Sequence, residues 1–160
     1  MEFNLEVETR EFDAYIGKLT KGMQPEVLKN TLVRTAFDFI AGVVPITPKK
    51  TGRAAGGWTP WLDTHPTPPG KTKPALTGPG VAEGRSEGSY QENLTGPDQY
   101  VEMTNGVPYI VRLEYGWSDQ FTGAVRVSMR RIRDKLSKNA QYALEAEIRA
   151  ADLETRGMRG

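Results

Sequence analysis

His65 is the sole histidine of this chain, and Glu114 is a lone carboxylate set between Leu113 and Tyr115. These are the residues with a type and setting suited to acid–base chemistry. A histidine acting as general base must be held in fixed geometry against its nucleophile and its orienting acid. His65 lies between Thr64 and Pro66 in a Pro/Gly-rich stretch. We therefore assign it no catalytic role. Glu114 could serve as an acid or base, but a carboxylate at the end of a strand more often pairs with an arginine or caps backbone N–H groups. Arg53 and Arg112 are the expected partners. The chain has no cysteine, which removes disulfides, thiolate metal sites and cysteine nucleophiles. Gly78-Pro79-Gly80 resembles a phosphate-cradling loop in composition only, because no strand–helix pattern flanks it. No catalytic, cofactor or metal site is expected, and the chain reads as a non-enzyme.

Two further groups could carry binding. Arg126, Arg130, Arg131, Arg133, Lys135 and Lys138 gather in one short run with Asp134 as the lone acid. Such a run is a solvated helix face, a subunit contact, or a surface for nucleic acid. No aromatic residue interleaves with it, so base stacking is not indicated. Trp58, Trp61, Tyr109, Tyr115 and Trp117 lie in turn-rich parts of the chain. Trp58 is expected in the core, and Trp61 and Trp117 at an interface.

The elements that must position these residues can be read from periodicity. Phe3, Leu5 and Val7 alternate with polar residues as in a half-buried strand. Phe12, Ile16 and Leu19 have helical spacing. Pro25 suits the first turn of a helix, and an apolar stripe from Val27 to Val44 predicts a core helix over Pro25–Val43, ending before Pro45. A short strand is expected near Ala54–Leu62. Asp63 to Gln99 holds six prolines and six glycines with no periodicity. It is expected as an extended loop, held by neighbouring subunits, whose deletion over residues 66–96 leaves a folded subunit. Tyr100, Val101 and Met103 predict a strand, and Asn105-Gly106 a hairpin turn to a return strand over Val107–Tyr115. Thr122 is a candidate N-cap for a last helix with Val125, Met129, Ile132, Leu136, Ala140, Ala143, Leu144 and Ile148 along one stripe. The result is a single α+β domain: a small antiparallel sheet packed against two or three helices, with a long C-terminal helix and a long Pro/Gly-rich central loop.

Composition sets outer bounds. With 160 residues and 38% hydrophobic content, the chain can bury one modest core. A formal net charge of +1 argues against a dedicated nucleic-acid binder. No apolar run approaches the roughly 18 residues of a membrane span. The acidic, alternating start is unlike a signal peptide, so synthesis in the cytoplasm is expected.

Two blocks carry a resemblance. Pro48-x-x-Thr51-Gly52-Arg53 followed by Gly57-Trp58 is the first. Asn105, Tyr109, then Leu113-Glu114-Tyr115-Gly116-Trp117-Ser118, then Gly123 before the last helix, is the second. In order and spacing they resemble the neck and tail-completion proteins of tailed phages, the HK97 gene-product-ten-like group. Ile110 stands where members have alanine, and Phe121-Thr122-Gly123 lacks their proline. The resemblance implies a structural virion protein without enzymatic activity, forming a homo-oligomeric ring, six-fold by family habit, at the head–tail junction. Its partners would be the portal-side connector and the tail-tube or tail-terminator proteins, with possible contact to DNA in the lumen and none to a membrane. The alternatives are a tail terminator capping the tube, or a small nucleic-acid-binding protein using the basic helix. Thr51, Gly52, Arg53, Trp61, Tyr109, Glu114, Tyr115, Gly116, Trp117, Arg126, Arg130, Arg131 and Arg133 are the structural and interface candidates.

Overall fold

A computed structural model describes residues 24–48, 50–115 and 124–157. The elements expected at Phe3–Val7 and Phe12–Leu19, the Thr122 cap, and Gly116, Trp117 and Gly123 lie outside the described residues. The fold is α+β: a two-stranded antiparallel sheet packed with several helices, the longest at the C-terminal end.

Helix α1 spans Pro25–Ile46, with Pro25 in its first turn. Val27, Leu28, Phe37, Ile40, Val43 and Val44 are buried along it. The expected end before Pro45 is wrong by one turn. Pro45 sits so close to the end that it withdraws little of the backbone ladder. Val43 and Val44 are fully buried, and Thr47 caps the last turn, its N–H donating to Val43 O at 3.0 Å and its hydroxyl to the same oxygen at 2.7 Å.

The strand expected at Ala54–Leu62 is instead two short helices, α2 (Arg53–Gly56) and α3 (Pro60–Thr64). Pro60 occupies the first turn of α3, the helical position that proline tolerates best. The central segment also differs from the expected loop. It contains helix α4 (Val81–Glu87) and strand β1 (Gly88–Asn93). Short helices α2 and α4 touch backbone to backbone, since a Cβ on Gly84 would overlap the Arg53 carbonyl oxygen. Only glycine permits that approach.

Strand β2 (Tyr100–Asn105) pairs with β1 in the register Gly88↔Asn105 to Asn93↔Tyr100. The expected hairpin at Asn105-Gly106 is therefore misplaced. The partner of β2 precedes it in the chain. Gly106 N–H donates to Glu87 O at 3.0 Å, and the chain turns into helix α5 (Ile110–Tyr115) in place of the expected return strand. Val107 and Ile110 are both buried, three residues apart, as on one face of a helix.

Helix α6 (Ala124–Gly157) runs antiparallel along α1. Asn139 meets Asp38, Ser128 lies beside Gly42, and the Arg34 guanidinium sits 3.9 Å over the Tyr142 ring. Val125, Ile132, Leu136, Ala140 and Ala143 are buried and Met129 is half-buried. Leu144, assigned to the same stripe, is 50% exposed. Ala143 takes the inward position, and the next residue turns about 100° away from it. The Ile148 side chain lies outside the described residues.

Residues 66–79 carry no helix or strand, yet their own chain holds them. Lys71 Nζ lies 2.8 Å from Asp38 Oδ1, a carboxylate 5% exposed on α1. Asn139 donates to the other oxygen, Asp38 Oδ2, at 2.9 Å. Lys73 donates to Leu62 O at 2.9 Å, and Leu76 packs on the core. The expectation that neighbouring subunits must hold this segment is thereby corrected. Lysine heads and one leucine supply the anchorage that composition seemed to lack. Among the described residues no helix is long and apolar enough to cross a membrane.

Candidate functional site

Thr51, Gly52, Arg53 and Tyr109 come together at one place. The turn before α2 puts Gly52 at φ 77°, a left-handed conformation that glycine adopts without strain. Gly80 N–H donates to Thr51 O at 2.8 Å, tying this turn to the start of α4. Arg53 then projects along α4. Its Nε donates to Glu87 Oε2 at 2.8 Å, its Nη2 pairs with Glu87 Oε1, and its Nη1 lies 3.2 Å from Glu83 Oε1. The Tyr109 ring centroid is 6.0 Å from the guanidinium carbon, near the outer reach of a cation–π contact. The side-chain bond to Arg53 holds the Glu87 carboxyl below its ordinary value, and the same bond raises Arg53. This fork between planar groups is the strong form of ion pair.

Arg53 or Arg112 was the expected partner of Glu114, whose side chain lies outside the described residues; among the described residues Arg53 pairs with Glu83 and Glu87. Those two acids were missed because the segment was read as loop. Their spacing of four residues was the available signal, since it places both on one face of a helix. Glu114 and Tyr115 close α5, and their side chains lie outside the described residues.

Asn105 joins the two sequence blocks. Its Nδ2 donates to Ala54 O at 2.8 Å, and its Oδ1 accepts from Val107 N–H at 3.1 Å. It is buried, and both ends of its amide are satisfied, as a buried amide requires.

A second cluster surrounds His65. The loose placement expected for this residue is wrong. Its Nδ1 lies 2.9 Å from Trp61 O, and its Nε2 lies 3.0 Å from Glu92 Oε1. Its ring stacks on Trp61 with centroids 4.0 Å apart. Trp61 Nε1 donates to Glu92 Oε2 at 3.0 Å, and the Thr64 hydroxyl meets Tyr90 OH at 2.7 Å. The Thr64 hydroxyl also lies 2.9 Å from His65 Nδ1. The cluster acts as a clasp between α3 and β1. Trp61 is 1% exposed within the core, which corrects its assignment to an interface. Trp58 is buried as expected and meets Phe39 edge to face at 5.9 Å.

The third group stays apart from both. Arg130, Arg131, Arg133, Lys135 and Lys138 are exposed along α6. The Arg126 side chain lies outside the described residues. Among the described residues no group of three or more His, Asp or Glu could hold a metal ion. No family model, curated protein or solved structure matches this chain.

Proposed function

We propose that this chain is a structural protein of a tailed-phage particle, forming a homo-oligomeric ring at the head–tail junction as a neck or tail-completion component. One observation carries the reading. The two sequence blocks that resemble this group are interlocked in space: Asn105 bonds Ala54 across 51 residues, and Arg53 reaches the Tyr109 ring. The described residues of the two blocks, Arg53, Ala54, Asn105 and Tyr109, thus meet at one junction. A rigid junction that presents shape suits an assembly component. Contacts between unlike faces of neighbouring copies close into a ring when the rotation per subunit divides the circle.

The test is the mass of the purified protein by light scattering, alone and with connector and tail-tube proteins. A ring, alone or formed on adding a partner, supports the reading. Binding to the tube alone favours the tail-terminator variant of the same role. A strict monomer indifferent to both partners overturns it.

A further inference from the structure

We infer that α6 carries a sequence-independent contact surface for duplex DNA at Arg130–Lys138. The inference stands on the helix itself and does not depend on the virion role.

Five cations, Arg130, Arg131, Arg133, Lys135 and Lys138, are exposed within nine consecutive residues. None of them makes an ion pair, hydrogen bond or ring contact among the described residues. The segment rises about 12 Å along the helix, and duplex DNA carries about seven phosphate charges over that length. At about 100° per residue Arg130, Arg131 and Lys138 share the outer face and Arg133 and Lys135 flank it on either side, so three to five of them can meet phosphates. Three of the five are arginines, whose planar donors match phosphate oxygens in pairs.

The same face is poorly suited to an acidic protein. Protein contacts depend on buried aromatic or apolar anchors. The exposed large hydrophobic residues of the described chain are Tyr100, Tyr142 and Leu144, none of them within Arg130–Lys138. Base reading is also disfavoured by the fold. Ile132 and Leu136, on the inner side of the same turns, are 3% exposed in the core that α6 shares with α1. α6 spreads its cations over about 200° of its surface rather than along one narrow edge, an arrangement suited to phosphates more than to base edges. It can lie across the phosphate backbone, and such contacts position without reading sequence. The chain as a whole has net charge +1, so attraction is local and easily screened.

Fluorescence anisotropy of two labelled 30-base-pair duplexes of unrelated sequence, with the full chain in 50–300 mM NaCl, tests this. The two duplexes should bind within about two-fold of each other. The logarithm of the association constant should fall with that of salt with a slope between about −2.7, for three phosphates, and about −4.5, for five. The triple variant Arg130→Gln, Arg131→Gln, Arg133→Gln should flatten the slope by about 1.8–2.7 and weaken binding at least about tenfold at 50 mM. Should that variant melt early, Lys135→Gln and Lys138→Gln singly should each reduce the slope by about 0.9. Absence of binding at 50 mM NaCl, a slope the variants do not change, a strong preference for one duplex, or equal competition by polyglutamate would each overturn the inference. Ring formation with the connector and tube in the triple variant reports separately on the virion role.

Discussion

Arg53 holds three parts of the chain at once, and its consequence can be followed through pH. Glu87 ionises more readily in the folded chain than at its ordinary value of 4.5, because the Arg53 fork bonds its charged form. Folding therefore releases protons from this group as it ionises, and its contribution to stability is complete above 4.5. It is lost as pH falls through the lower, folded value. Arg53→Met should lower stability near neutral pH and flatten its decline on acidification below about pH 4.5. Urea melts from pH 7 to pH 2.5 check this, and parallel curves for the two proteins would refute it. Arg53 was legible in the sequence as a residue that matters, but its partner was not. Pairing an arginine with an acid needs the fold, because Glu83 and Glu87 become neighbours of Arg53 only once α4 crosses α2.

At the scale of elements, α1 and α6 were the most legible. Each has an apolar stripe long enough for the 3.6-residue period to stand out. The short elements were misread for a shared reason. Val107, Ile110 and Val111 are β-branched, and that composition suggested a strand, whereas the three-residue step from Val107 to Ile110 is helical. In segments of six residues or fewer, tertiary contacts outweigh propensity. The strap at 66–79 was hidden for another reason: what holds it is Lys71 on a buried carboxylate, and composition counts a lysine as solvated. Lys71→Met leaves Asp38 with Asn139 alone as a described polar partner and should cost about 1–3 kcal/mol. Adding Asp38→Asn should recover part of that loss. Hydrogen exchange should report faster opening across residues 66–79 in the single variant. An unchanged exchange pattern would show that Lys71 does not anchor the strap.

For the whole molecule, the central segment changes status. Read from composition it was removable; in the fold it supplies α4, β1, Leu76 and both acids gripping Arg53. Deleting residues 66–96 should abolish the cooperative urea transition rather than leave a folded subunit. A sharp transition in the deletion variant would return the segment to the status of an appendage. The α+β class itself was legible, since it needs only the long helices and one hairpin. Strand order was not, because β1 lies in a stretch whose glycines and prolines mask its alternation.

The pairing of α1 with α6 also sets a timetable for synthesis. Asp38 and Asn139 are 101 residues apart, and bringing together chain ends at that separation costs about 4 kcal/mol of entropy before their contacts repay it. At ribosomal speed the later partner emerges about 5–20 s after the earlier one. During that interval the Arg34, Thr35, Asp38 and Gly42 side of α1 in a growing chain lacks the helix that will cover it. Ribosome-bound chains halted before Ala124 are thus the form most prone to clump and best suited to capture by a chaperone.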